Sequence, residues 1–292
     1  MTDSTVIYDF GANNGDDIPY YLVKADRVVA VEANPVLAAG IKQRFTEAIA
    51  AGRLEVVAKV LTAGDDAPEV PFYVHRTNHV LSQFPSPANP AEFDRVVLPA
   101  VAVVDLIARF GAPHYIKIDI EHYDEAILRA LFAANIRPPF ISAESHSFEV
   151  FAALVALGGY RAFKLVDGIT VPQCFRDHPI ATHLGTARHS FPEHSAGPFG
   201  VDIPGPWARP RSVHAVARRR GLWLEGYSRD LGPPRRPFRR HGPGRTRPDH
   251  RPPMGAQALA RSGSGIALSG PAQPTRVCAR WTFRASAAKR AR

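Results

Sequence analysis

Short apolar runs that stop at an acid, a glycine or a proline alternate with stretches of helical composition through about the first 170 residues. "TVIYDFG" (5–11), "RVVAVEANP" (27–35), "LEVVAKVLT" (54–62), "HYIKIDIE" (114–121), "PPFISAES" (138–145) and "YRAFKLVDG" (160–168) read as buried strands. "DDIPYYLVKA", "VLAAGIKQRFTEAIAAG", "YDEAILRALFAANI" and "SFEVFAALVALGG" read as helices between them, and "VVLPAVAVVDLIARFG" as a strand end followed by a helix. Pro19 is tolerable in a first helical turn, and Gly52 suits a C-terminal cap. "VPFYVHR" adds a strand and "HVLSQFPSPANPAEF" a loop. Regular alternation of this kind implies an α/β, doubly wound, mostly parallel sheet covered by helices. Such sheets bind ligands beyond the carboxyl ends of their strands. The residues that close each run are therefore the functional candidates.

Charge divides the chain in two. Residues 1–207 hold 16 Lys+Arg against 24 Asp+Glu, a net of −8, whereas 208–292 hold 20 against 3, a net of +17. The overall +9 thus reflects the second segment. No apolar run approaches the ~20 residues needed to span a bilayer, and "MTDSTVIYDF" lacks the basic and apolar regions of a signal peptide. A cytoplasmic protein is expected. Cys174 and Cys278 are too few to build a disulfide or metal framework.

The first strand ends in Asp9 and the turn Gly11-Ala12-Asn13-Asn14-Gly15, which is G-x-x-x-G. A dinucleotide site requires G-x-G-x-x-G, whose middle glycine lets a pyrophosphate approach the backbone. That glycine is missing, and Asp9 would repel a phosphate but suit an ammonium or sulfonium. The second strand ends at Glu32, 21 positions after Gly11, where a carboxylate can accept from two ribose hydroxyls. A nucleoside with a positive centre and no phosphate points to S-adenosylmethionine.

"DFGANNGDD", "VVAVEANP", "YIKIDIE" and "ISAES" together resemble the FkbM family of S-adenosylmethionine-dependent methyltransferases, over about residues 5–207. The resemblance implies a seven-stranded sheet with its last strand antiparallel, and methyl transfer to an oxygen of a small molecule, sugar or polyketide. It also implies that Asp9, Gly11, Asn13 and Gly15 line the methionine half of the cofactor, and Glu32 and Asn34 its ribose. One departure stands out: the glycine expected after K-x-D-x-E is His122.

In "KIDIEHYD", a period of two puts Lys117, Asp119 and Glu121 on one side and Ile116, Ile118 and Ile120 on the other. The next strand closes with Glu144 and, beyond it, His146. Neighbouring parallel strands lie about 4.8 Å apart, so these groups can converge. A hydroxyl acceptor must lose a proton, and His122 or His146 paired with a carboxylate could take it. Alternatively, Asp119, Glu144 and His146 could hold a divalent cation. A structural role, with Lys117 paired to an acid and His146 capping a helix, stays open. "NHVLSQF", with His79 and Ser82, is either a loop over the acceptor or ordinary surface.

After Trp207 the chain turns rich in Arg, Pro and Gly, without a usable period. Two segments are expected: a methyltransferase domain over 1–207 and a disordered basic tail over 208–292, with no strand in it. The tail reads either as an RNA- or phosphate-binding arm or as the out-of-frame reading of GC-rich DNA. The expected function is O-methylation of a small-molecule or glycan acceptor, without membrane or nucleic-acid partners. The rivals are a NAD-dependent oxidoreductase and a nucleic-acid-binding protein acting through the tail.

Overall fold

The computed structural model describes residues 4–64, 67–145, 147–212 and 281–286. Its main sheet is built from β1 (Val6–Phe10), β2 (Arg27–Val31), β3 (Leu54–Val57), β7 (Pro113–Ile118), β8 (Phe140–Glu144), β9 (Ala162–Asp167) and β12 (Trp281–Ser286). The strand order is β3-β2-β1-β7-β8-β12-β9. The pairings are parallel except those of β12, which runs antiparallel to both β8 and β9. This is the seven-stranded, doubly wound sheet expected from the alternation and the resemblance.

Period-two alternation in the central strands feeds two cores. Tyr8, Phe10, Ile116 and Ile118 face α4 (Val103–Phe110), α5 (Asp124–Ala133) and α6 (Phe148–Ala152), burying Leu106, Ile127, Leu128, Leu131 and Phe151 with them. Ile7 and Tyr115 face α1 (Ile18–Lys24) and α2 (Pro35–Arg44), together with Phe191, Phe199 and Ile203. Phe199 stacks on Tyr115 with centroids 3.9 Å apart. Asp202 fastens this segment to α1. It pairs with Lys24 at 2.8 Å and accepts from the Tyr20 hydroxyl at 2.7 Å and the Ala181 N–H at 2.8 Å.

Several local expectations shift. "LEVVAKVLT" is two strands. β3 stays in the main sheet, while β4 (Val60–Thr62) joins β6 (Phe93–Ala102) and β5 (Glu69–His75) in a smaller one. An apolar run does not encode which neighbour each half will pair with. The long second helix breaks at Phe45 into α2 and α3 (Thr46–Ala50), and α6 continues as a π-helical turn, Ala153–Leu157. After α7 (Val171–Cys174), the hairpin of β10 (His178–Thr182) and β11 (Gly185–His189) was not foreseen; its strands are short and mixed in polarity.

The expectation of no strand beyond Trp207 is corrected. Trp281–Ser286 is β12, and Ala208 forms an antiparallel bridge with Phe163. "WTFRAS" does alternate apolar and polar residues, but six residues amid Arg-rich text give too short a signal. Pairing with a strand on each side is what defines it. The expected disorder of 213–280 and 287–292 lies outside the described residues. Among the described residues, no helix is long and apolar enough to cross a membrane.

Candidate functional site

The carboxyl ends of β1, β2 and β7, with β4 and the loop after β5, border a cleft lined by Gly11, Asn13, Glu32, Asp119 and Glu121 among others. The glycine turn forms one lip. Gly11, Asn13 and Gly15 have φ of 78°, 50° and 80°, and the N–H groups of Gly11 and Ala12 both donate to the Val31 carbonyl at 3.0 Å. A β-carbon on Gly11 would stand 1.9 Å from the Asp119 carbonyl oxygen. The glycine is therefore required by the close approach of the backbone after β7, as well as by its left-handed conformation. Gly15 lies behind the turn, where a β-carbon would meet Phe45, Ile18 and Ile41 at 3.0–3.3 Å.

Glu32 lies in the cleft wall. Its Oε2 accepts from the Asn13 N–H at 2.7 Å and its Oε1 from the Asn34 N–H at 2.8 Å. Burial pushes its carboxyl up to about 7, against the pull of those two N–H groups. The Asn34 side chain is engaged elsewhere: it caps α2, accepting from the Val36 N–H at 3.0 Å. Asp9 is fully buried and lies outside the cleft lining, 3.2 Å from the Lys117 ammonium. Burial raises its carboxyl to about 7, while Lys117 opposes the shift.

On the far wall the strand alternation ends earlier than expected. β7 stops at Ile118, and Glu121 and His122 adopt φ of 30° and 65°, turning the chain sharply. Two consecutive non-glycine residues in this region mark local strain of about 1–3 kcal/mol each. Asp119 and Glu121 stay in the cleft, and Asp119 pairs with Lys117 at 3.6 Å. The carboxylates of Asp119, Glu121 and Glu144 lie within 4.8 Å of one another, an arrangement that can share a proton or hold a divalent cation. His122 leaves this group. It lines a separate hollow with Asp124, Glu125, Ser147 and Val150. His146 lies outside the described residues.

The "NHVLSQF" loop reaches the site: His79, Val80, Ser82, Gln83 and Phe84 all line the cleft. Its shape is set by His75, whose Nδ1 accepts from the Thr77 and Asn78 N–H groups at 3.2 and 3.1 Å and whose backbone N–H donates to Ser82 Oγ at 3.1 Å. Phe72, Gln83, Phe84, Tyr123 and Lys59 line the cleft without having been singled out in the sequence. Gln83 and Phe84 belong to a loop already marked by its turn residues. No local signal distinguishes Phe72 from an ordinary strand residue. Phe84 packs edge-on against Tyr123 at 5.1 Å, so this side of the cleft has an aromatic corner beside its carboxylates.

Residues 9–167 match the methyltransferase FkbM domain. No curated protein matches the chain. Among solved structures, the methyltransferase FkbM from Methylobacillus flagellatus KT is 16% identical, with a TM-score of 0.39, covering 56% of this chain and 40% of that one. The precorrin 8w decarboxylase of Methanobacterium thermoautotrophicum is 13% identical with a TM-score of 0.33, covering 64% of this chain and 76% of that one. The precorrin-6y C5,15-methyltransferase of Geobacter metallireducens GS-15 is 13% identical with a TM-score of 0.32, covering 57% and 69%. The chain thus spans well under half of the first of these. The domain match covers more than half of the chain, runs from Asp9 through β9, and includes the strand ends that border the cleft: the chain belongs to the FkbM methyltransferase family.

Proposed function

We propose that this methyltransferase takes its methyl group from S-adenosylmethionine and delivers it to a hydroxyl oxygen of a small molecule or glycan. The observation that carries the reading is Glu32. Each of its oxygens holds one backbone N–H and keeps lone-pair capacity for a further donor. A vicinal ribose diol offers two such donors. The Gly11–Asn13 backbone would border the methionine half, and Val60 and Leu61 offer apolar surface to an adenine. Once bound, the donor supplies a methyl group on a sulfonium, already activated for in-line displacement.

The chain's own task is to align the acceptor and take its proton. The loop carrying His79 and Gln83 and the aromatic corner of Phe84 and Tyr123 would hold the acceptor against Asp119 and Glu121. With the donor bound to supply the methyl group, the Asp119–Glu121 carboxylates would take the proton that the acceptor hydroxyl loses. Among the cleft residues Lys59 is the one Lys or Arg, and it precedes β4 on the donor side. An uncharged acceptor suits such a wall better than an anionic one. The test is an acceptor panel with methyl-labelled donor, the product examined by carbon NMR. Label on oxygen is expected; label on carbon or nitrogen would overturn the O-transfer reading.

A further inference from the structure

Asp9 on β1 and Lys117 on β7 are 108 residues apart in sequence and directly opposite in register. Both are buried. The Lys117 ammonium lies 3.2 Å from Asp9 and 3.6 Å from Asp119, and it donates to the Gly11 carbonyl at 2.6 Å. One side chain therefore ties together the end of β1, the glycine turn and the residue that closes β7. The backbones it joins are already in close approach at Gly11 and Asp119. Burial would drive a proton off Lys117, but the carboxylates of Asp9, Asp119 and Asp17 outweigh burial and hold it protonated above the usual lysine range.

Such a clamp has an electrostatic cost for a cationic ligand. A full positive charge next to the cleft wall repels a sulfonium, and in a partly buried site the repulsion is not screened as it is in water. Asp9 offsets it from a position the cleft does not reach. Resting on the methyl donor assigned above, we propose that Lys117 is a positioning residue that clamps the glycine turn to the end of β7, and that buried Asp9 is its counter-charge, which lets the cleft accept a cationic donor.

The test compares two ligands that differ at sulfur. S-adenosylmethionine is cationic there and S-adenosylhomocysteine is neutral. Both are titrated by calorimetry, at about pH 8, into the wild type, Asp9→Asn, and the double variant Asp9→Asn/Lys117→Met; at that pH a carboxyl titrating near 7 is mostly ionised. Asp9→Asn leaves the ammonium uncancelled. It should weaken the cationic ligand about fivefold or more while changing the neutral one less than about twofold. The double variant removes both charges and should restore the wild-type ratio of the two affinities. Parallel loss of both ligands in Asp9→Asn, or a double variant that keeps the altered ratio, would overturn the proposal. If Asp9→Asn does not fold, Asp119→Asn, which removes the other carboxylate facing Lys117, is compared with Asp119→Asn/Lys117→Met; the selective loss should be smaller in the second, and an equal selective loss in both counts against the clamp. A wild type that binds neither ligand refutes the donor assignment itself, and this inference with it.

Discussion

Replacing Glu32 with glutamine should weaken cofactor binding and flatten the pH dependence of stability, and the geometry sets both sizes. Burial raises the Glu32 carboxyl from 4.5 to about 7. The folded protein therefore holds a proton that the unfolded chain has released between those values. Stability from this group is fully present below about pH 4.5 and is lost as pH rises through about 7. At about 1.4 kcal/mol per unit, the ionised carboxylate costs the ligand-free protein about 3 kcal/mol at pH 8. Glutamine removes that penalty but turns an NH₂ toward one of the backbone N–H groups of Asn13 and Asn34, leaving a donor without its acceptor. For the cofactor, a carboxylate accepting two ribose hydroxyls contributes about 1.5–3 kcal/mol per bond, and an amide keeps only one accepting oxygen. A loss of about 2–4 kcal/mol, roughly 30- to 1,000-fold in Kd, follows. Calorimetry with S-adenosylhomocysteine measures the binding, and thermal denaturation from about pH 5 to 8 measures the slope. Glu32→Gln should bind far more weakly and lose stability less steeply as pH rises; Asp9, also raised to about 7, keeps the remaining slope. Unchanged affinity would refute the ribose assignment, and an unchanged slope would refute the burial argument.

Three further outcomes follow from the packing. Gly11→Ala puts a β-carbon 1.9 Å from the Asp119 carbonyl, whereas Gly15→Ala meets only side chains at 3.0–3.3 Å. Gly11→Ala should therefore lower Tm more, by about 6 °C or more, and disturb the cleft through Asp119; the reverse order in a melting experiment would contradict the close approach. Asp202→Ala takes the carboxylate from the half-buried Lys24 ammonium, which keeps the Ala181 carbonyl, and leaves the Tyr20 hydroxyl and the Ala181 N–H without their acceptor. It should cost about 2–3 kcal/mol and open the segment from β10 to Ile203 to proteases; wild-type resistance to digestion would show that Asp202 does not fasten it. Truncation after Ser212 removes β12 and leaves the facing edges of β8 and β9 without the strand that pairs with both. Aggregation on size-exclusion chromatography is expected, and a monodisperse fragment with the full-length Tm would mean that β12 contributes nothing to the sheet.

Most of the main sheet was legible because each of its parallel strands announces itself locally: an apolar run, then an acid or a turn residue. The same signal marked Gly11, Glu32, Asp119 and Glu121, and these do meet in one cleft. Asp9 carried the signal too, but it faces Lys117 behind the wall, because the register of β1 against β7 sets those two residues opposite each other. His122 was drawn toward the acceptor by its place in the motif. The left-handed backbone at Glu121 and His122 turns it into another cavity.

Strand identity, helix caps and the chemistry of the strand ends are short-range properties, set by residues a few positions apart, and they can be read from the chain alone. Pairing, facing and charge cancellation join positions such as Asp9 and Lys117, or Tyr20 and Asp202, that lie 108 and 182 residues apart. No local pattern encodes such distances. They arise only when the sheet closes and burial forces each charged group to find the partner its register provides.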